Sequence, residues 1–242
     1  MNVVAVQESG EIRVVAPERA VEWVKTGWRL FRAMPAIWAL IGLALLVLNV
    51  LLGIMPPMIG SAAAAILMPI IGGGLMAACD AQERGETIRF DYVHLGFREN
   101  TAPLATTGGL LLAGVGASVA ATLVIGSIGA WLGAQLSSTG VGTVVALGSL
   151  LMAGLLLLAL LIAISMAAWF APALVMLSLR TPKDALRASF VASLKNWLPL
   201  LIYGILLWLM LALCILTAGL GLLVLIPVTA GSMYQSYRDI FA

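Results

Sequence analysis

The sequence predicts an all-α polytopic membrane protein, with six transmembrane helices in three parallel hairpins and with cytoplasmic amphipathic helices. Three observations predict this fold class. Of the 242 residues, 62% are hydrophobic and only 10% are charged, and the charged residues leave three long uncharged gaps. A soluble domain is about half apolar and about a quarter charged. This chain therefore lacks the polar residues needed to cover a domain in water.

The uncharged gaps set the number of membrane passes. They cover residues 33–79, 100–179 and 196–237, which are 47, 80 and 42 residues long. One helical pass needs roughly 20 apolar residues, so the first and last gaps each hold two passes. The middle gap has one clear polar break, at residues 135–140. We therefore predict two long passes in the middle gap and six passes in total.

The basic residues predict the orientation. All 13 lie outside the uncharged gaps, and none lies in the predicted outer turns at 55–57, 135–142 and 217–219. Because Lys and Arg are retained on the cytoplasmic side, we predict a multi-pass membrane protein with both termini cytoplasmic. The net charge of +2 does not indicate nucleic-acid binding. Its distribution fits an anionic inner leaflet, so the predicted partner is the lipid bilayer.

The first 34 residues contain an arm and a helix. Residues 1–16 are an N-terminal arm, predicted as either a small hairpin or a disordered segment. Residues 17–34 are predicted as an amphipathic helix, with charges at 18, 22, 25, 29 and 32 opposite Val21, Val24, Trp28 and Phe31. This helix either lies in the membrane interface, with Trp23, Trp28 and Trp38 as headgroup anchors, or packs on the protein's own cytoplasmic face.

The remaining chain divides at its charged segments. A hairpin over residues 35–79 is followed by a cytoplasmic segment at 80–102 and by a long hairpin at 103–179. A second amphipathic helix is predicted at 180–197, where Thr181 and Asp184 read as a capping box. Its apolar stripe contains Leu186, Phe190, Leu194 and Trp197, the last as a further interfacial anchor. A third hairpin at 198–237 and a tail at 238–242 complete the chain.

The three hairpins look like repeats of one unit. In each, the return helix carries a proline near its cytoplasmic end, at Pro69, Pro172 and Pro227. Each proline is predicted to kink its helix and to free a backbone carbonyl. Because every unit begins and ends on the same side, the internal repeats are parallel.

Small residues mark the third helix as a packing surface. Small residues at a spacing of four let helix backbones approach closely in lipid. The predicted helix-packing interface consists of Gly109, Ala113, Gly126, Ala130 and Gly133. Two interpretations stay open: internal packing against the fourth helix, or contact with a second copy or another membrane protein.

No pattern of residues indicates catalysis, a metal or a cofactor, so we predict a protein that is not an enzyme and assign no ligand-binding residues. A membrane enzyme would require Asp80, Glu83, Asp91 and His94 to converge. No acid or base lies well inside a predicted pass, which disfavours a proton- or sodium-driven carrier. Carbonyls freed at the three prolines still leave ion binding open.

Several motifs resemble those of a family of multi-pass bacterial inner-membrane proteins of unknown function. They are the run at 22–32 with Pro35 and Trp38, the segments 84–86 and 96–98, the run 170–174, Asn196 and Trp197 with Pro199, and the ending at 234–241. The resemblance implies a multi-pass membrane protein and supplies no catalytic residues. We expect a structural or partner-binding membrane component; the alternative is a protein that transports or binds a lipid or small molecule.

Overall fold

The computed structural model describes residues 12–136, 140–217 and 219–242, and these residues are almost entirely helical. They form ten α-helices and one short 3₁₀ helix, with no strand among the described residues. In chain order these are α1 Arg19–Ala33, α2 Pro35–Ile54, α3 Pro57–Glu83, the 3₁₀ helix Phe90–His94, α4 Leu95–Arg98, α5 Thr101–Gln135, α6 Gly140–Trp169, α7 Ala171–Leu177, α8 Pro182–Lys195, α9 Trp197–Leu216 and α10 Leu222–Phe241.

Five stretches of the described chain are long and apolar enough to cross a membrane. They are α2, α3, α5, the α6–α7 stretch Gly140–Leu177, and α9. The protein is therefore an all-α polytopic membrane protein. The sixth predicted pass corresponds to α10, which is not among the five because its second half is polar and carries Arg238 and Asp239. The sixth pass and the three-hairpin arrangement stay predictions. The predicted tail at 238–242 is corrected, because α10 continues to Phe241.

The chain divides into two compact units, which we name the core unit and the hairpin unit. The core unit contains residues up to Gly109 and from Ala167 onward, and the hairpin unit contains Leu110–Met166. In the core unit α10 is central and packs on α1, α2, α3 and α9. The interior around it is rich in aromatic side chains, which include Trp23, Phe170, Tyr203, Tyr234, Tyr237 and Phe241.

Helix α1 packs on the protein's own body mainly through residues outside the predicted apolar stripe, of which only Val24 and Phe31 are partly buried against the core. Its buried residues are Ala20, Trp23, Gly27 and Leu30. A Cβ atom at Gly27 would overlap the carbonyl oxygen of Val228. Close contact with α10 therefore requires a glycine here.

The other two residues of the predicted stripe of α1 are exposed. Within it Val21 is 42% exposed and Trp28 is 45% exposed. The buried face therefore lies beside the predicted stripe and consists of Ala20 and Gly27 together with Trp23 and Leu30.

Helix α8 likewise has a buried face of small residues beside a partly exposed apolar stripe. The hydroxyl oxygen of Thr181 accepts a hydrogen bond from the backbone N–H of Asp184, which confirms the predicted cap. The buried residues are small: Ala185, Ala188, Ser189, Ala192 and Ser193. The predicted apolar stripe lies on another face, where Leu194 is 49% exposed and Trp197, just beyond the helix, is 59% exposed.

The hairpin unit is held together by glycines. A Cβ atom at Gly129 of α5 would overlap Ser149 of α6, and one at Gly133 would lie 2.7 Å from the Cβ of Ala146. Most other large side chains of this unit are exposed. The two helices therefore touch along one narrow line of small residues, in the manner typical of helix pairs in lipid.

Candidate interaction surfaces

A polar network lies where the C-terminal parts of α3 and α10 meet, which we call the charged end. The carboxylate of Asp80, a residue only 6% exposed, accepts a 2.8 Å hydrogen bond from the hydroxyl of Tyr234. It also forms an ion pair with Arg84, whose Nε donates to Glu86 at 3.0 Å. The hydroxyl of Tyr92 donates to the same Glu86 carboxylate at 3.2 Å. This network fastens the segment after α3 to the core.

The ionisation of the exposed part of the network follows from these contacts. Desolvation acts to lower the pKa of Arg84, but the hydrogen bond to Glu86 and the charges of Asp80 and Glu86 raise that pKa overall. The hydrogen bond from Arg84 lowers the pKa of Glu86. Burial, followed by the bond to Glu86, raises the pKa of Tyr92. At neutral pH Arg84 and Glu86 are therefore both charged, and Tyr92 is a neutral donor.

A second cluster joins α1 to α10. The carboxylate of Asp239 accepts two hydrogen bonds from Arg19, from Nε at 2.8 Å and from Nη2 at 2.6 Å. It also accepts from the indole N–H of Trp23 at 2.7 Å and from the amide of Gln235 at 2.9 Å. A charged acceptor with several donors makes strong hydrogen bonds. Asp239 is therefore the main polar link between these two helices.

Two of the four predicted tryptophan anchors are corrected by their burial. Trp23 and Trp38 are 0% and 1% exposed, and the indole N–H of Trp38 donates to the side chain of Gln82 at 2.8 Å. Lipid headgroups do not reach these rings, because α10 and α3 cover them. Trp28 and Trp197 are exposed, and their role as headgroup anchors stays a prediction.

Asn196, at the junction of α8 and α9, holds the described part of the N-terminal arm. Its Oδ1 accepts from the backbone N–H of Val15 at 2.9 Å, and its Nδ2 donates to the carbonyl of Arg13 at 3.0 Å. The N–H of Arg13 donates to the carbonyl of Ile240 at 3.0 Å. Residues 12–16 are therefore fastened to the core unit. The rest of the predicted arm lies outside the described residues.

The four residues that a membrane enzyme would require have separate contacts. Asp80 binds Tyr234 and Arg84, Glu83 pairs with Arg29, Asp91 pairs with Arg89, and His94 packs edge-on against Phe90. Among the described residues, no group of three His, Cys, Asp or Glu side chains is placed to hold a metal ion. The structure does not bring the four residues together in one site.

The carbonyls freed by two of the prolines are covered. Pro69 lies inside α3 and Pro227 inside α10, so the carbonyls of Ala65 and Leu223, four residues earlier, lose their helical N–H partner. A Cβ at Gly108 would overlap the carbonyl oxygen of Ala65. A Cβ at Gly42 would lie 2.8 Å from the carbonyl oxygen of Leu223. Neighbouring helices therefore cover both oxygens, which weakens the case for ion binding there.

The third proline has a different position. Helix α6 ends at Trp169, and Pro172 lies in the first turn of the new helix α7. The N–H of Phe170, at the break, donates to the hydroxyl of Ser189 on α8 at 2.9 Å. The predicted kink at Pro172 is therefore corrected to a helix break that α8 stabilises.

The small residues predicted on α5 divide into two groups. Gly126 and Gly133 are buried and contact α6, as internal packing requires. Ala113 and Ala130 are exposed, and a Cβ at Gly109 would meet nothing within 4 Å. Gly109 and Ala113 continue into an open stripe of small residues at i, i+4, i+7, i+8 and i+11, completed by Gly116, Ala117 and Ala120.

An apolar cavity of about 290 Å³ lies between α2, α3 and the segment containing the 3₁₀ helix and α4. Its lining is Ala44, Leu45, Leu48, Leu67, Ile71, Phe90, His94 and Phe97. One polar side chain, His94, is present in this otherwise apolar wall. A cavity of this kind suits an apolar ligand.

Sequence reasoning missed the polar residues that hold the core unit together. Asp239, Tyr234, Gln82 and Asn196 all bond to residues on other elements. Their positions in the sequence could have revealed them. Each lies within or next to an apolar run, where a buried polar side chain needs a hydrogen-bond partner.

Comparison with known proteins supplies a relative for the chain. It is 30% identical over 228 residues to a probable inner membrane protein of Burkholderia thailandensis, and the match covers 91% of this chain and 82% of the relative. No protein-family model matches the chain. No solved structure matches it either. The relative and the membrane-capable helices confirm the resemblance noted in the sequence, and the chain belongs to the family of this inner membrane protein.

Proposed function

We propose that the protein is a non-enzymatic component of the inner membrane, with both termini cytoplasmic, that binds a second membrane-embedded chain through α5. The observation that carries this proposal is the open stripe of small residues from Gly109 to Ala120. In lipid, stripes of small residues let two helices approach until their backbones are in contact. A partner helix can therefore pack against this face of α5.

The burial of the helices supports this choice of surface. The span within α3 is 56% buried, whereas the spans within α5 and α6 are 11% and 6% buried. The glycines that join α5 to α6 use only one line of contact, and a Cβ at Gly116 would meet nothing within 4 Å. Within the hairpin unit the stripe residues from Ala113 to Ala120 are thus not covered by α6.

The charged end supports a structural role. Its carboxylates are engaged in holding helices together: Asp80 with Tyr234, Glu83 with Arg29, and Asp239 with Arg19. Buried polar groups with all partners in place stabilise and specify a core. We therefore assign these residues to stability.

The test is native mass spectrometry of the protein extracted in its own lipids. We expect a complex, either with a second copy or with another membrane protein, and we expect Gly116→Leu to dissociate it by filling the stripe. Gly154→Leu on α6 is the matched control, since a Cβ there also meets nothing within 4 Å. A wild-type protein that is always alone, or a complex that survives Gly116→Leu, would contradict the proposal.

The apolar cavity favours a second candidate function, the binding or transport of a lipid or small molecule. Its volume of about 290 Å³ holds roughly ten groups of the size of a water molecule, at about 30 Å³ each. In the same native mass spectra, this function would appear as a bound lipid or small molecule of defined mass. Ala44→Phe should remove that mass by filling the cavity, and Leu40→Phe, at an exposed position of α2 outside the lining, should leave it bound.

A further inference from the structure

We infer that α8 together with Trp197 is a docking surface for anionic phospholipids, in which Lys183, Arg187 and Lys195 bind the phosphate groups. The inference goes beyond the proposed function, because it concerns another face of the molecule and another class of ligand. The lipids belong to the leaflet at the charged end, which the predicted orientation makes the inner leaflet.

Helices α1 and α8 each have three faces in the same order. Successive residues of a helix are about 100° apart, so the faces follow from residue numbers. In α8 the buried small residues are followed by the apolar stripe, within which Lys183 lies, and then by Arg187, Asp184 and Lys195. In α1 the buried face around Gly27 is followed by the stripe containing Val21 and Trp28, and then by charges. A soluble amphipathic helix needs only two faces; the exposed apolar stripe is the additional one.

The two helices differ in how their charges are used. Most cations of α1 have protein partners, since Arg19 pairs with Asp239, Lys25 with Glu22, and Arg29 with Glu83. Within the described part of the chain, Lys183, Arg187 and Lys195 have no ion pair, and all three are exposed. The one acid of α8, Asp184, accepts from its own cap residue Thr181 at 2.6 Å. The cations of α8 are therefore available to an external anion.

The position of the stripe identifies a membrane lipid as the source of that anion. Leu194 and Trp197 are exposed, and Trp197 is the first residue of α9, which is apolar enough to span a membrane. The stripe thus continues the lipid-facing surface of α9 toward the cations. Aromatic rings and cations combined in this way are typical of helices at the headgroup level.

The surface is also held in a fixed position. The cap at Thr181 fixes the start of α8, the bond from Phe170 to Ser189 fixes its middle, and Asn196 closes its end by donating to Ala192 at 3.0 Å. Lys183 and Arg187 lie four residues apart, so their side chains are neighbours on one side of the helix. A single headgroup can therefore contact both cations without a cost for ordering the helix.

The experiment measures which lipid the full-length protein retains. The protein is equilibrated with equal amounts of phosphatidylglycerol and phosphatidylcholine in detergent micelles, and the bound lipids are counted by native mass spectrometry. We expect preferential retention of phosphatidylglycerol. In the triple variant K183Q/R187Q/K195Q the preference should fall by about fivefold for each cation that contacts a headgroup. Lys25→Gln, which removes an exposed but paired cation of α1, should leave the preference unchanged.

Two results would overturn the inference. One is a wild-type protein that retains both lipids equally, and the other is a triple variant that keeps the full preference. A variant that has lost its fold is recognised by its circular dichroism; in that case Arg187→Lys, which keeps the charge, must retain the preference and Arg187→Gln must reduce it. Loss of a protein partner is read from other masses in the spectrum, so this test fails or succeeds independently of the proposed function.

Discussion

The hydrogen bond between Tyr234 and Asp80 joins two helices that are far apart in the chain. Both residues are buried, and the bond is 2.8 Å long. We expect Tyr234→Phe to lower the free energy of unfolding by about 1.5–3 kcal/mol, the range for a hydrogen bond to a charged group. The measurement is the thermal unfolding midpoint of the detergent-solubilised protein.

Tyr92 supplies the control for this prediction. Its hydroxyl also donates to a carboxylate, but at 3.2 Å and to Glu86, whose side chain is 47% exposed. Water can replace that bond, so Tyr92→Phe should change the midpoint much less. Equal effects of the two substitutions would show that burial of the acceptor does not decide the strength of the bond.

The two tryptophans of α1 show that the burial of a single residue cannot be read from its local sequence. Trp23 and Trp28 lie on the same helix, yet the first is buried and the second is exposed. The partner of Trp23 is Asp239, 216 residues away. Without the fold no local pattern reveals that pairing, so the sequence predicted the same anchoring role for both rings.

The crossing of α1 and α10 depends on two glycines. A Cβ at Gly27 would overlap Val228, and a Cβ at Gly231 would lie 2.8 Å from the Cα of Gly27. Gly27→Ala should destabilise the protein by about 1–3 kcal/mol, because the backbones must separate. Gly53→Ala on α2, where a Cβ meets nothing within 4 Å, should be neutral or stabilising by up to about 1 kcal/mol. The measurement is the thermal unfolding midpoint of each variant. An unchanged midpoint for Gly27→Ala would contradict the close contact between α1 and α10.

Helices α1 and α8 show that the bulkiest apolar residues do not mark the most buried face. In water, bulky apolar residues mark the buried side of a helix. The buried residues of α8 are all Ala or Ser, and those of α1 include Ala20 and Gly27, whereas part of each bulky stripe is exposed. In lipid there is little gain from hiding a leucine, whereas small residues allow close packing. The helices themselves and the cap at Thr181 were predictable, since these depend on local sequence.

The orientation of the whole protein is a prediction that labelling can check. Cysteines introduced at Ser138, which lies outside the described residues, and at Arg89, whose side chain is 78% exposed, can be treated with a membrane-impermeant maleimide. We expect Ser138→Cys to react in intact cells and Arg89→Cys to react only after lysis. The native Cys79 and Cys214 are buried, and the unmodified protein is the control for their background. The reverse labelling pattern would invert the topology.

For the molecule as a whole, the sequence predicted the membrane class and the five spans that the described structure contains. These follow from uncharged length and from charges at helix ends. The central position of α10 was not predictable, because its burial comes from contacts with α1, α2 and α3. Its polar C-terminal half reads as the end of a pass, although Tyr234, Ser236 and Tyr237 are buried in the core.

The central position of α10 has a consequence for biosynthesis. It follows α1, α2, α3 and α9 in the chain, yet all four pack against it. During translation the earlier helices can enter the membrane, but Asp80 must wait for the hydroxyl of Tyr234, and the indole N–H of Trp23 must wait for Asp239. A ribosome that stalls before α10 would leave uncovered the faces of α1, α2, α3 and α9 that α10 packs against, and exposed faces of this kind are what membrane chaperones and quality-control proteases recognise.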